Sequence, residues 1–230
     1  MNLFKQIPFI TKKIIQGTGN MDINEDSLVL GIDEAGRGSV IGPLVIGGVL
    51  MPKKKTRFLD RIGVKDSKKL SSKKRTVLSR KIKKIAKFTT FIINAQEIDY
   101  MRNNGTNLNQ IETNGMQNII NQMNPDICCI DCIDVNETRF HDNIQKINQD
   151  MKVITKHKAD DIYNIVSAAS IIAKVERDKQ LAIIRSEYGP VGSGYPSDKN
   201  TIDYLKTIKN NEFPPIVRQT WSTIENMKNR

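Results

Sequence analysis

Apolar runs of two lengths alternate along the chain. Val29 to Asp33 is a short apolar stretch that ends in an acid, with a second acid, Glu34, directly after it; it predicts a buried strand. Val40 to Met51 is a longer apolar run interrupted by glycines, a second strand approached closely by other backbone. Phe88–Ala95, Asp126–Cys132 and Val153–Ile154 predict three more strands. Helical spacing predicts a helix from a Ser71 or Ser72 cap to about Lys87, with Val77, Ile82 and Ile85 as its buried side. Further helices are expected over Leu108–Met123, near Glu137–Asp150, and from about Tyr163 to Glu187 with Ile165, Ala168, Ala169 and Ile172 on one face. Gly189–Lys199 reads as a loop, and two helical patches finish the chain. Strands pair first and then alternate with helices, which makes the class α/β with a mixed sheet.

Composition agrees with a packed domain. Of the 230 residues, 38% are hydrophobic, enough to exclude global disorder. No run of 18 apolar residues exists, so no membrane span is expected. The N-terminus has no uninterrupted apolar core and does not read as a signal peptide. The three cysteines, Cys128, Cys129 and Cys132, fall within five residues. That is a poor disulfide framework and fits a cytoplasmic protein. Cys129 and Cys132 match C-x-x-C, but strand alternation sets the two sulfurs against meeting, so they read as buried small hydrophobes.

Charge changes the picture more. The net charge is +11, yet residues 53–87 alone hold 16 Lys/Arg against two Asp, a net of +14, so the remainder nets −3. A basic segment of this size is either a solvated helix face or a surface for a polyanion such as nucleic acid.

The candidate chemistry is carboxylate chemistry. Asp33 and Glu34 follow an apolar strand and precede the glycine loop Gly36–Arg37–Gly38. Neighbouring strand residues face opposite ways, so two acids serving one site call for a strand end or bulge. Asp131 lies in an otherwise apolar stretch, with Asp134 as a nearby alternative. Asp160 and Asp161 precede the long helix, where an ordinary N-cap is the competing reading. Several carboxylates at strand ends, with two histidines in the chain, favour hard cations, Mg²⁺ or Mn²⁺. With a polyanionic partner they point to two-metal phosphoryl transfer.

Six ordered motifs carry a resemblance. They are Gly31-Ile-Asp-Glu-Ala-Gly-Arg-Gly38 with Gly42-Pro-Leu44, Asp66-Ser-Lys-Lys-Leu70, Ile130-Asp131, Lys158-Ala-Asp160, the stretch Val166 to Asp178, and Gly192-Ser-Gly-Tyr-Pro-Ser-Asp198. Together they resemble type 2 ribonuclease H (ribonuclease HII), in its archaeal and eukaryotic branch. The resemblance implies a ribonuclease H-like mixed five-stranded sheet flanked by helices, with a C-terminal helical part. It implies a catalytic domain over 27–187 and a substrate-binding helical part over 188–230, while residues 1–26 read as an N-terminal extension of unknown role outside it. It implies an endonuclease that hydrolyses RNA in RNA–DNA hybrids and cuts on the 5′ side of a ribonucleotide in duplex DNA, leaving 5′-phosphate and 3′-hydroxyl ends. Asp33, Glu34, Asp131 and Asp160 would be its metal-binding acids. Gly36, Arg37 and Gly38 would read the ribose 2′-hydroxyl, Tyr195 would stack on the adjacent deoxyribose, and Lys68 and Lys69 would hold phosphate. A monomer is expected, and no clear clamp-binding peptide stands at the C-terminus. A non-catalytic nucleic-acid binder on the same fold is the alternative, which the full set of four acids disfavours.

Overall fold

Five strands form one mixed sheet in the order β3-β2-β1-β4-β5. In the computed structural model, the described residues are 23–64, 70–210 and 212–229. The strands are β1 (Leu28–Ala35), β2 (Leu44–Pro52), β3 (Lys87–Ile93), β4 (Ile127–Asp131) and β5 (Lys152–Lys156). β1, β2 and β3 pair antiparallel, while β4 and β5 continue the sheet in parallel from β1. The helices are α1 (Arg57–Ile62), α2 (Ser72–Ile85), α3 (Ala95–Asn103), α4 (Leu108–Met123), α5 (Glu137–Gln145), α6 (Ala159–Ile162), α7 (Asn164–Tyr188), α8 (Lys199–Lys206) and α9 (Ser222–Lys228).

Strand alternation sorts the apolar side chains into two cores. Leu30, Ile32 and Ile46 face α3, α4 and α5, where Ile98, Ile111, Ile119 and Phe140 are buried. Val29, Val49 and Cys129 face α1, α2 and α7 on the opposite side. α7 is buried at every position from Ile165 to Ala173, because the sheet covers one side and α1, α2 and α6 the other. Its close seat depends on Gly31, where a side chain would run into the Ile165 carbonyl. A third core of Val40, Ile41, Val191, Leu205, Val217 and Ile224 joins the C-terminal helices to the chain just before β2.

The structure alters several expectations. β2 begins at Leu44 rather than Val40: Gly42, at φ +85°, turns the chain, and Ile41 pairs with Val217 instead. Ser71 is the cap of α2 and accepts from the Lys74 N–H. The buried side of α2 is Leu78 and Ile82; Val77 is 50% exposed and Ile85 also faces solvent, because the helix is rotated toward α7. α1 and α3 were not anticipated. α3 starts where Glu97 accepts from the Asn94 N–H at 2.7 Å, a local stop that ends β3 two residues early. Cys129 faces one core while Cys128 and Cys132 face the other, and all three are free thiols. Among the described residues no helix is long and apolar enough to cross a membrane.

Candidate active site

The β1–β4 register builds the centre of the site. Val29 to Ile32 pair with Ile127 to Ile130, and one step further along the two strands come Asp33 and Asp131. By alternation both share the α7 side of the sheet with Val29 and Cys129, on strands ~4.8 Å apart. Asp33 is 6% exposed. Its Oδ1 accepts the Glu34 N–H at 2.7 Å, and the Ser170 side chain on α7 hydrogen-bonds its carboxyl. Lys174, one turn further along α7, donates to Ser170 Oγ at 2.8 Å. Burial is the main force pushing Asp33 up to about 7, and the nearby Asp131 charge adds to it.

Glu34 takes the opposite face. The pairing of β1 with β2 continues without a break through Asp33–Gly47, Glu34–Ile46 and Ala35–Val45, so no bulge brings the two acids to one side. The acids nevertheless remain within electrostatic reach. Burial first, then Asp33 and Asp131, push Glu34 up to about 8, while Arg37 opposes the rise. Its Oε2 is buried with no hydrogen-bond partner. Arg37 is turned toward α4, where it pairs with the fully buried Glu112 and donates to Asn109 Oδ1 at 2.7 Å. Its guanidinium is thus held by α4, and the face of the loop presented to the cavity is largely backbone.

Asp131 reaches toward the fourth acid. Its Oδ1 accepts the Ala159 N–H at 2.7 Å, which fixes the start of α6. Asp160 follows at 6% exposure, while Asp161 points outward. The N-cap position belongs to Lys158, at φ +57°, so neither Asp160 nor Asp161 occupies it. Asp134, the alternative to Asp131, is committed elsewhere: Arg139 grips both its oxygens, at 2.6 and 2.8 Å, at the start of α5.

Beside these acids lies a cavity of about 430 Å³, walled by Glu34, the loop Gly36–Gly38, Arg75, Lys174, Arg177 and Tyr195. Gly36 sits at φ +90°, where a Cβ would fall 2.6 Å from the Pro43 oxygen. The Arg177 guanidinium lies 4.7 Å from the Tyr195 ring centre and donates to the Ser193 oxygen at 3.0 Å. Tyr195 is therefore stacked from one side and half-buried, with the cavity beside it. Lys68 and Lys69 lie outside the described residues.

Ser170, Lys174 and Arg177 recur every three or four residues on the cavity side of α7, a spacing legible in the sequence. Glu112 gave a weaker signal, a lone acid within the apolar stripe of α4. No group of three or more His, Cys, Asp or Glu among the described residues is gathered as a metal cage. A hard cation that keeps its water needs only one or two carboxylates together with substrate phosphate. The donor set fits such an ion: oxygen ligands alone, two of them raised by burial and mutual repulsion, and one buried oxygen without a donor.

Comparison with known proteins agrees with this arrangement. The family model described as Ribonuclease HII matches residues 30–224. The chain is 73% identical over 207 residues to the ribonuclease HII of Methanosphaera stadtmanae, covering 90% of this chain and 98% of that one. The solved ribonuclease H2 of Pyrococcus horikoshii is 40% identical, with a TM-score of 0.82 over 88% of this chain and 98% of that one. The Archaeoglobus fulgidus ribonuclease HII, solved in complex with PCNA, is 38% identical, with a TM-score of 0.80 over 85% and 95% of the two chains. A sheet ordered β3-β2-β1-β4-β5, with acids at the ends of its central strands, is thus the ribonuclease H-like fold, and the chain belongs to the ribonuclease HII family of metal-dependent ribonuclease H endonucleases.

Proposed function

We propose that the chain cuts RNA in RNA–DNA hybrids and also incises duplex DNA on the 5′ side of an embedded ribonucleotide. The observation that carries this reading is a cavity lined by Glu34, the glycine loop Gly36–Gly38, Tyr195 and the cations Arg75, Lys174 and Arg177, next to the pair of strand ends that carry Asp33 and Asp131. Asp33, Glu34, Asp131 and Asp160 would hold two divalent cations, Mg²⁺ or Mn²⁺. When bound, such ions neutralise the phosphate and make a coordinated water more acidic. Water forms the new bond to phosphorus, the bond to the 3′-oxygen breaks, and the products are a 5′-phosphate and a 3′-hydroxyl.

The side chains have separate tasks. Ser170 and Lys174 orient the Asp33 carboxylate. Glu112 and Asn109 steady Arg37, which leaves the backbone of Gly36–Gly38 open to a ribose 2′-hydroxyl, the group that separates RNA from DNA. Tyr195, backed by Arg177, offers its ring to the next sugar. Arg75 and Lys174 supply positive charge along the cavity, with Lys68 and Lys69 assigned to phosphate in the same reading. The segment 188–230 would serve as the substrate-side helical part next to the catalytic domain 27–187, with 1–26 as an extension.

The test is cleavage of three labelled duplexes: one with a single ribonucleotide, a continuous hybrid and an all-DNA control. Cutting of the first two with added Mg²⁺, and none in EDTA, is expected. Binding to all three without cutting in any metal would favour a non-catalytic nucleic-acid binder.

A further inference from the structure

We propose that Arg218 is a positioning residue for the Gly36–Gly38 loop, and that through the loop it sets how well the enzyme separates ribose from deoxyribose. The inference rests on the reading of that loop as the 2′-hydroxyl reader. Among the described residues Arg218 is the largest fully buried side chain. Among the described residues it forms no salt bridge. Its partners are instead two backbone oxygens, Gly42 O at 3.0 Å from Nε and Arg37 O at 2.9 Å from Nη1, with the Trp221 ring 4.8 Å from the guanidinium carbon.

A buried cation without a carboxylate is a poor choice for stability, since an apolar side chain of similar volume avoids the desolvation cost. What the guanidinium offers is geometry. Its donors lie in one rigid plane, so it fixes the Arg37 and Gly42 carbonyls relative to one another. These oxygens bracket the segment that leads out of the loop. Burial lowers the Arg218 pKa to about 9, which still leaves the donors charged at neutral pH.

The neighbouring backbone extends the effect. The Gly42 N–H donates to Ile216 O at 2.8 Å, and the Arg218 N–H to Val40 O at 2.8 Å. On the other side of the same segment, the Val40 and Ile41 N–H groups both donate to Gly194 O, at 2.8 and 3.1 Å. Residues 40–42 are therefore a shared rung between the C-terminal segment and the loop that carries Tyr195. Two side chains hold the glycine loop's backbone: Ser39 Oγ donates to Gly36 O at 2.8 Å from the loop's own foot, and Arg218 reaches in from the C-terminal segment to hold Arg37 O. Without the Arg218 contact, Arg37 O loses its tie to the C-terminal segment, while Ser39 still closes the turn at Gly36 and the rung stays paired.

The test compares wild type, Arg218→Met and Arg218→Lys by anisotropy in EDTA, on a duplex with one ribonucleotide and an all-DNA duplex of the same sequence. Thermal unfolding is measured alongside. Arg218→Met preserves volume but leaves the Gly42 and Arg37 carbonyls without their donor, so its melting temperature should fall by a few degrees while its all-DNA affinity stays near wild type. Its preference for the ribonucleotide duplex should fall about tenfold, the scale of one misaligned hydrogen-bond pair. Arg218→Lys, which can reach one carbonyl but not both, should recover part of the preference. An unchanged preference in folded Arg218→Met would overturn the proposal, as would equal losses on both duplexes, the mark of a merely structural role. If Arg218→Met does not fold, an Arg218→Lys variant with the full wild-type preference would overturn it. A wild type with no preference would overturn the reading of the loop itself, and the inference with it.

Discussion

Removing the Asp33 charge should stabilise the metal-free protein while destroying its activity. The Asp33 carboxyl is raised from 3.8 to about 7, chiefly by burial and further by Asp131. A raised carboxyl binds more protons folded than unfolded between those two values, so stability falls as pH rises from about 4 to about 7. At ~1.36 kcal/mol per pH unit, the gap of about three units sets a ceiling of about 4 kcal/mol. Glu34 and Asp131 remain charged neighbours in Asp33→Asn, so a gain of about 2 kcal/mol at pH 8 is expected, or roughly 4–8 °C in a chain of this size. The assay is thermal unfolding of wild type and Asp33→Asn in EDTA at pH 4, 6 and 8. The gap between the two proteins should widen with pH. Mg²⁺ should raise the melting temperature of wild type at pH 8 and leave the variant nearly unmoved, while cleavage by the variant drops by orders of magnitude. A stability gap independent of pH would refute the electrostatic reasoning, and full activity would remove Asp33 from the site.

Tyr195→Ala should lose more rate on a single embedded ribonucleotide than on a continuous hybrid, while Tyr195→Phe keeps most activity; equal losses on both substrates would reduce Tyr195 to loop packing. Binding of a duplex should weaken steeply with salt, with a slope of about −0.9 per phosphate contact in log–log form, and Lys68→Ala with Lys69→Ala should flatten it. An unchanged slope would return residues 53–87 to a solvated face. Gly31→Ala should cost about 3 kcal/mol or more in chemical denaturation, because the new methyl meets the Ile165 carbonyl and lies 2.7 Å from the Val166 nitrogen, both backbone atoms of α7. A loss below 1 kcal/mol would mean that α7 can shift away from the sheet.

The sequence was most legible where periodicity and capping agreed. α4 matches its expected bounds, Leu108 to Met123, because reciprocal Asn107 and Gln110 bonds start it and Asn124 in the left-handed region ends it. The short α1 was hidden within the lysine-rich run, where charge obscures a single buried Leu59. Asp33 and Asp131 stood out as acids beside apolar runs, but their shared face required the β1–β4 register, a long-range pairing that no local pattern reveals. For Asp134, its bond to Arg139 decides its role, and five residues of sequence separation gave no hint of that geometry. Arg218 was the least visible: one arginine between Val217 and Gln219 reads as surface until the chain folds over it.

α7 also acts as a molecular ruler. Ser170 touches Asp33, proposed for the chemical step, and Arg177 backs the ring of Tyr195, proposed to meet the next sugar. Seven residues separate them on one continuous helix, a rise of ~10.5 Å and close to two full turns. In the proposed reading, the spacing between Asp33's support and Tyr195's support is set by helix geometry, although Tyr195 itself sits in a loop. Inserting one residue between them would swing Arg177 by ~100° and carry Tyr195's support away from the cavity. A change in the length of this stretch would therefore separate the support of Asp33 from the support of Tyr195, which single substitutions along it leave in step.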